Sequence, residues 1–417
     1  MSATTFDDTE ILVIGAGLAG LRCAGLLRAA GRDVRVWEAS DDIGGRIRTD
    51  VIDGFRCDRG FQVLNPAYPE LKHAVDVSAL RLQPFAAGVA VRRDVGPAVW
   101  VHPLRAPTKV PAMLSSGGLG LRDVVAVGRW AAAAVAPAAL KSPDRADGPL
   151  RTALDRAGVT GELRRVIDRF LSGVLLEDDG VTSNAFVLLL IRMFALGVPA
   201  LPAEGMQTLP RQLAVGLENA ITLRRKVIEI TREGSGWRVS DGEHGMNAQH
   251  VVVATDPVSA GRLAGVAVPP MHGVVTDWWA ADEVPSGPPM LWVDGRPNPQ
   301  GPVLNTAVMS SAAPSYAPAG RHLIAASALM AKDGGAPDEA VVRAHAASIL
   351  GADATRWTLV TRHLVPHALP EQAPPLSVRR PVRTADGMWV CGDHRDTASI
   401  QGALVSGRRT AHEILRA

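Results

Sequence analysis

A glycine-rich turn near the N-terminus constrains the fold of this chain more than any other feature. An apolar run at residues 11–14 predicts a buried parallel strand. The turn Gly15-Ala16-Gly17-Leu18-Ala19-Gly20 follows it directly, and the spacing beyond predicts a helix over residues 21–30 and a strand over 33–37. Glu38 ends that second strand. This order of strand, glycine turn, helix, strand and acid is typical of a site for an adenine dinucleotide.

Each glycine of the turn has its own physical role in this interpretation. Gly15 allows the tight turn, Gly17 lets the backbone approach a diphosphate, and Gly20 lets the helix pack closely on the strand. The N–H groups at the start of the helix would face the phosphates, and Glu38 would accept hydrogen bonds from ribose hydroxyls. Three further residues are predicted to line the same site: Leu18, Ala19 and Ala39.

The composition is that of a globular chain with a large core. A length of 417 residues predicts about two or three domains, and a net charge of +2 gives no argument for a nucleic-acid partner. The three cysteines show no disulfide pattern. The polar N-terminus is unlike a signal peptide, and no stretch is apolar enough to span a bilayer. We expect a cytoplasmic protein, with peripheral membrane contact and the oligomeric state left open.

Features of a nucleotide-binding fold return in two later parts of the chain. Residues 203–262 combine a helical pattern at 209–217 with strand-like runs, and an apolar strand at 388–391 precedes a last helix at 401–415. The strand-like runs lie at 221–223, 227–231, 237–240 and 250–254. The blocks between are helical at first, with helices expected at 121–135, 161–171 and 184–196, and then rich in strands, with runs at 274–279, 289–293, 302–309, 322–329 and 357–365.

These segments predict an α/β fold with two interleaved domains. The first is a Rossmann-type dinucleotide-binding domain with a parallel sheet, built from residues 1–72, 203–262 and 382–417. The second is an α+β substrate domain, built from residues 73–202 and 263–381, with a mixed or antiparallel sheet and a helical insert.

A second glycine loop indicates which dinucleotide is bound. Gly44-Gly45-Arg46 stands at a distance along the chain that allows a return to the diphosphate. Its glycines permit close backbone approach, and the Arg46 guanidinium offers a fork of donors to phosphate oxygens. With this loop the chain resembles the FAD-dependent superfamily of monoamine and polyamine oxidases, protoporphyrinogen oxidase and phytoene-type desaturases. A nicotinamide dehydrogenase is disfavoured, because such enzymes do not usually carry this second loop.

The resemblance implies noncovalent FAD and further binding residues. The segment Asp58–Gln62 is similar to the family segment beneath the isoalloxazine ring, and Val227 to the valine whose backbone pairs with adenine. The run after Gly392 is similar to the family's C-terminal flavin motif. The residues implied to bind FAD in these segments are Gly60, Phe61, Gln62, Val227, Ala254, Thr255, Gly392, Asp393, Ile400, Gln401 and Ala403.

The C-terminal motif also has a physical rationale. Asp393 would accept from a ribityl hydroxyl. The start of the last helix, near Ile400 and Gln401, would aim N–H groups at the N1–C2=O edge of the ring, where reduced flavin concentrates negative charge. Ala403 is small enough for the ring to lie close.

Bound FAD implies hydride transfer from a small-molecule substrate to flavin N5. Two departures count against the amine oxidase branch: residues 398–400 contain no aromatic side chain, and none of the lysines lies in a matching strand. We expect an oxidase or desaturase of a largely apolar molecule, which the apolar helical insert would suit. The alternatives are a flavin amine oxidase producing peroxide, a redox-neutral flavin isomerase and a noncatalytic flavoprotein.

Histidines are the candidate acids and bases. His394, next to Asp393, is the predicted catalytic residue. His363 and His367 flank Pro366, which disfavours a helix, and no third ligand is evident, so we predict no metal site. Four tryptophans in the second block would line the substrate pocket or pack in the core: Trp278, Trp279, Trp292 and Trp357.

Overall fold

The structure is a computed structural model that describes residues 6–102, 105–115, 119–135, 147–284 and 287–417. The strands, in chain order, are β1 Phe6–Ile14, β2 Val34–Trp37, β3 Thr49–Ile52, β4 Phe55–Asp58, β5 Gln83–Pro84, β6 Gly88–Arg92, β7 Ala98–Val101, β8 Ala200–Leu201, β9 Ile221–Thr222, β10 Glu229–Glu233, β11 Gly236–Ser240, β12 Gly245–Val253, β13 Met271–Ala281, β14 Leu291–Asp294, β15 Val303–Val308, β16 His322–Leu329, β17 Thr358–Pro370 and β18 Trp389–Val390.

The helices are α1 Leu18–Ala29, α2 Leu71–Ala74, α3 Val110–Ser115, α4 Leu121–Val135, α5 Leu150–Ala157, α6 Gly161–Leu175, α7 Asn184–Leu196, α8 Thr208–Leu213, α9 Pro257–Ala264, α10 Met309–Ala312, α11 Glu339–Leu350 and α12 Ile400–Ile414.

The first large sheet has the order β10-β11-β12-β1-β2-β9, with β18 also paired to β12. Its centre is parallel, because β1 pairs in parallel with both β12 and β2. Residues 11–13 are fully buried, and alternate side chains of β1 enter two different apolar clusters. One cluster includes α1, α8 and α12, and the other includes α9. Burial on both faces explains why the sequence of this strand is a continuous apolar run.

The second large sheet has the order β17-β13-β16-β15-β14-β6-β7. Its pairs are antiparallel except for the parallel pair β14 and β6. Helix α11 packs on one face, and the hairpin of β3 and β4 packs on the other. The structure therefore confirms the predicted α/β class, with one parallel-centred sheet and one mixed sheet.

Several element boundaries differ from the sequence-based expectation. Helix α1 starts at Leu18, earlier than predicted, because Gly17 already acts as its N-cap. Helix α8 ends at Leu213 rather than 217, and the strand expected at 227–231 is β10, Glu229–Glu233. Helices α4 and α7 have the predicted bounds.

The tryptophans of the second sheet pack mainly in the core. Trp278 and Trp279 are fully buried and point to opposite faces of β13. The rings of Trp279 and Trp357 lie 5.8 Å apart under α11. The alternative in which these three side chains line an open pocket is therefore wrong, whereas Trp292 is only partly buried.

Candidate functional site

The glycine turn leaves space where the sequence predicts a ligand. Gly15 has a φ of +107°, and a Cβ there would lie 2.8 Å from the Ala254 carbonyl oxygen. A Cβ on Gly20 would overlap the Gly15 carbonyl oxygen, so helix and strand approach as closely as predicted. A Cβ on Gly17 would instead meet nothing within 4 Å. Gly17 is the N-cap of α1, so the helix start with its N–H groups opens onto this space.

Glu38 is held rigidly beside the turn. Its Oε2 accepts from the Ala16 N–H at 2.7 Å, and its Oε1 accepts from the N–H and hydroxyl of Ser40 at 2.9 and 2.8 Å. Arg225 N–H donates to the Glu38 carbonyl oxygen at 2.8 Å, so the segment before Val227 lies next to Glu38. Ala39 is exposed next to it. The carboxylate thus has a fixed orientation before any ribose would bind.

The second glycine loop lies against the first. Gly44 N–H donates to the Ala16 carbonyl oxygen at 2.8 Å, and the Gly17 and Gly44 backbones form an isolated parallel bridge. A Cβ on Gly45 would lie 3.4 Å from the Gly17 Cα. Gly44 and Gly45 both have positive φ angles, of 114° and 59°, a conformation that favours glycine. The two glycine motifs therefore form one continuous backbone surface.

Arg46 joins three distant parts of the chain. One Nη donates to Asp393 Oδ1 at 2.8 Å, and the other donates to the Ala368 carbonyl oxygen at 2.8 Å. Burial opposes the positive charge of Arg46, but the carboxylate of Asp393, with Asp256 further away, raises the pKa of Arg46 above its usual value. A phosphate contact by Arg46, as the sequence predicts, would use its Nε–H or the second N–H of either Nη, since a guanidinium has five N–H donors.

The predicted ring segment packs beside Arg46. The Gln62 side-chain amide donates to the carbonyl oxygens of Arg46 and Arg59 at 2.7 and 2.9 Å, and its Oε1 is buried without a hydrogen-bond partner. Gly60 has a φ of +98°, and a Cβ there would meet nothing within 4 Å. Phe61 packs against the apolar cluster of the second sheet. This segment thus combines open space with an unused acceptor atom.

The start of α12 follows shortly after Asp393, the residue that accepts from Arg46. Ser399 is the N-cap residue, and its side chain accepts from the Gly402 N–H at 3.0 Å. Ala403 N–H donates to the Ser399 carbonyl oxygen at 2.9 Å. Gly392, just before Asp393, donates its N–H to the Ser406 hydroxyl at 2.9 Å, which fixes the strand end against the helix. The N–H groups of Ile400 and Gln401 belong to the first turn, where no intrahelical acceptor exists.

The residues predicted to lie beside adenine already make hydrogen bonds within the protein. The Val227 carbonyl oxygen accepts from Arg262 at 3.2 Å, so base pairing would use the Val227 N–H or share this oxygen. Ala254 N–H donates to the Ile14 carbonyl oxygen at 2.8 Å and lies under the turn. The Thr255 hydroxyl donates to the Asp256 carbonyl oxygen at 3.1 Å.

His394 is buried with both ring nitrogens lacking a hydrogen-bond partner. Burial lowers the pKa of His394 to about 4, although the neighbouring Asp393 acts in the opposite direction. At neutral pH the ring is therefore neutral and offers one donor and one acceptor rather than a charge. A Cβ on Gly392 would lie 2.6 Å from the ring. The catalytic role of His394 stays a prediction.

The burial of His394 predicts a pH-dependent loss of stability in the apoprotein. The unfolded chain binds a proton near pH 6.5, whereas the folded chain binds it near pH 4. The free energy of unfolding should therefore fall by up to about 3 kcal/mol between pH 6.5 and 4 through this group. Denaturant unfolding of wild type and His394→Gln should show a shallower pH slope in the variant. Equal slopes would contradict the buried, neutral ring.

Sequence reasoning missed several residues that support the site. The Gln207 side chain donates to Asp42 Oδ2 at 2.6 Å and accepts from the Thr49 N–H at 3.2 Å, which holds both ends of the second glycine loop. The Gln401 side chain accepts from the Glu70 N–H at 2.9 Å, which leaves the backbone N–H of Gln401 for the predicted contact with the ring edge. No local pattern marks Gln207 or Glu70, because both act across long sequence separations.

His363 has a structural partner. Its Nε2 lies 2.9 Å from Asp50 Oδ2, and Arg59 donates twice to the same carboxylate at 2.9 Å. Among the described residues no group of three or more metal-ligating side chains occurs. Nor does any helix in these ranges have the length and hydropathy needed to cross a membrane.

Comparison with known proteins identifies the family. The sequence profile of the family described as flavin containing amine oxidoreductase matches residues 18–415. The chain belongs to this family. This match confirms the resemblance based on the motifs, and the family implies a flavin cofactor.

Individual relatives match the sequence of this chain over short segments. Putrescine oxidase from Kocuria rosea is 41% identical over 76 residues, which cover 18% of this chain and 16% of that protein. Protoporphyrinogen oxidase 2 from Arabidopsis thaliana is 35% identical over 72 residues, covering 17% of this chain and 14% of that protein. A solved structure of putrescine oxidase bound to putrescine covers 99% of this chain and 100% of its own at 19% identity, with a TM-score of 0.71. That similarity shows the fold.

The residues of the candidate site are compatible with a flavin dinucleotide. Space lies over Gly17 at the glycine turn and over Gly60 in the predicted ring segment. Two predicted flavin-binding segments also contain buried polar atoms without a hydrogen-bond partner. They are the Oε1 of Gln62 in the ring segment and both ring nitrogens of His394 in the C-terminal motif. Buried polar groups are normally hydrogen-bonded, and a bound flavin would supply partners for these atoms.

Proposed function

We propose that this protein binds FAD noncovalently and oxidises a largely apolar small molecule by hydride transfer to flavin N5, as an oxidase or desaturase. When bound, FAD would supply the two-electron acceptor. The chain's own groups would orient it: N–H groups of the glycine turn and α1 toward the diphosphate, Glu38 toward ribose, and Asp393 toward the ribityl chain. The start of α12 would stabilise negative charge on the ring.

The observation that carries the apolar assignment is the surface of α6 and α7 near Arg46. Ala368 accepts from Arg46, and the next residue, Leu369, packs against the apolar cluster of these helices. Five partly exposed apolar side chains of these two helices belong to the same cluster: Ile167, Phe170, Val174, Ile191 and Phe194. Partly exposed aliphatic and aromatic side chains beside a redox centre are typical of an apolar ligand pocket.

A narrow cleft next to Leu369 adds hydrogen-bonding groups without charge. Leu175 and Phe186 line it, together with the buried Nε2 of His272 and Oε1 of Gln372, neither of which has a hydrogen-bond partner. Burial lowers the pKa of His272, so this ring is neutral at neutral pH. The hydrogen-bonding groups beside Leu369 are therefore neutral, but the cleft itself has no room even for a water molecule and does not hold the substrate in this structure.

Oxidation of an amine with release of peroxide is the second candidate. The observation that favours it is the local identity with putrescine oxidase. The two candidates differ in the charge of the substrate, because putrescine is a cation at neutral pH and the helical surface near Arg46 is apolar.

Anaerobic mixing separates these candidates. The purified protein should carry FAD that is released by heat, and the flavin absorbance should bleach with an isoprenoid alcohol such as farnesol, but not with putrescine or cyclohexylamine. Bleaching by the amines, with peroxide formed in air, would establish an amine oxidase instead. A flavin-loaded protein that no member of either class reduces would contradict the proposal.

Variants test whether α6 and α7 form the substrate surface. Phe194→Ala should raise KM for the apolar substrate about tenfold or more, because an aromatic side chain loses contact with it. Val341→Ala serves as the control, since Val341 is exposed on α11, which packs in a different apolar cluster from α6 and α7. Equal KM values in the two variants would place the substrate elsewhere.

A further inference from the structure

Helix α4 is apolar on its outward face as well as on its inward face. Inward, Ala126, Trp130 and Ala133 are buried, and the Trp130 indole N–H donates to Asn184 Oδ1 at 2.8 Å, which fixes the helix on α7. Outward, the exposed positions at helical spacing form what we call the outer stripe: Leu121, Val124, Val125, Gly128 and Ala132.

The exposure of the outer stripe is high for apolar side chains. Leu121 is 80% exposed, Val124 46% and Val125 50%. Single exposed apolar residues are ordinary, but three at positions i, i+3 and i+4 form a contiguous patch. A helix that is apolar on both sides is normally covered on both sides. The outer stripe therefore needs an occupant.

Charge around the outer stripe identifies the occupant. Arg122 and Arg129 are exposed, and their seven-residue spacing aligns them along one flank of the stripe. Lys109 and Arg105 precede the helix, whereas Asp123 is the one carboxylate between residues 105 and 135. The Asp123 carboxylate accepts from the Gly120 N–H at the helix start. A second copy of this face would bring like charges together, whereas an anionic lipid surface matches both the apolar stripe and the cations.

We propose that α4 docks the protein on an anionic bilayer surface, with the outer stripe in the interface and the arginines at the lipid headgroups. This proposal stands on the surface alone and does not depend on the identity of the substrate. The position also fits access to the apolar surface of α6 and α7, because α4 packs on α7, and Ile191 and Phe194 of α7 belong to the same apolar cluster as Leu369.

Vesicle co-sedimentation of the FAD-loaded full chain tests the proposal. The protein should bind vesicles of phosphatidylcholine and phosphatidylglycerol in a 7:3 ratio, at roughly physiological or lower salt, and bind pure phosphatidylcholine much less. Leu121→Asp with Val125→Asp should reduce binding at least tenfold. Arg122→Gln with Arg129→Gln should reduce it about thirtyfold on the anionic vesicles alone. Melting temperature and flavin content establish that each variant is folded.

Val215→Asp is the matched control, because Val215 is 74% exposed and follows α8, which packs on α1 rather than on α4. Its binding should equal that of wild type. Absence of vesicle binding, or equal loss in the control and in the stripe variants, would overturn the proposal. A dimer in solution that the stripe variants dissociate would overturn it as well, since the occupant would then be a second copy.

Discussion

Gly17→Val should reduce the affinity for FAD at least about a hundredfold while leaving the apoprotein folded. The Gly17 backbone has a φ of −75° and a ψ of 178°, which valine adopts readily, and a Cβ there would meet no protein atom within 4 Å. The free energy of unfolding should therefore fall by only about 1 kcal/mol, the cost of a poor N-cap. The added side chain would instead occupy the place of the diphosphate. Titration of the apoprotein with FAD, followed by flavin fluorescence, measures the loss.

Gly20→Ala provides the contrast for this experiment. Its Cβ would overlap the Gly15 carbonyl oxygen, so the substitution should destabilise the apoprotein itself by several kcal/mol. Gly17→Val therefore separates ligand contact from folding in a way that Gly20→Ala does not. Unchanged FAD affinity in a folded Gly17→Val protein would show that no part of the cofactor passes over this glycine.

Arg46→Met should weaken both the fold and FAD binding. The variant leaves the buried Asp393 carboxylate, whose side chain is 5% exposed, without its 2.8 Å partner. Because the Arg46 side chain is itself 31% exposed, we expect a loss of about 2 kcal/mol in the free energy of unfolding rather than the full value for a buried pair. FAD affinity should fall about a hundredfold, since the loop, the strand end and Ala368 lose their common link. Urea unfolding and FAD titration measure the two effects separately.

Two further variants test this explanation of the Arg46 effect. Arg46→Met combined with Asp393→Asn should recover most of the stability, because no buried charge remains, yet FAD should stay weakly bound. Arg238→Met removes an exposed pair with Glu233 and should change the free energy of unfolding by less than about 1 kcal/mol. If the double variant were as unstable as Arg46→Met alone, the unpaired carboxylate would not be the cause.

The sequence predicts most accurately those elements that begin with a recognisable capping residue or glycine turn. Helix α7 has the predicted bounds because Ser183 caps it, accepting from the Phe186 N–H at 3.1 Å, before an apolar run. The glycine turn is equally readable, since Gly15 has a φ of +107° and a Cβ on Gly20 would overlap the carbonyl oxygen of the nearby Gly15. Such features depend on neighbours in sequence, so a pattern of residue types reveals them.

Contacts between distant segments could not be predicted in the same way. The motifs indicated that Arg46 and Asp393 belong to one site, but nothing local showed that Arg46 would bind Asp393 and Ala368. Gln207 likewise holds Asp42 through a contact that spans 165 positions. Trp279 was ambiguous for a related reason, because its burial depends on α11, which covers the far face of the sheet. These outcomes are set by packing in three dimensions rather than by local propensity.

The most direct test of the central claim is titration of the wild-type apoprotein with FAD. The account predicts tight binding of one FAD per chain, complete release of that FAD when the protein is denatured, and a strong loss of affinity in Gly17→Val and Arg46→Met. An apoprotein that stays folded but takes up no FAD, or that binds it equally well when Gly17 and Arg46 are replaced, would contradict the account.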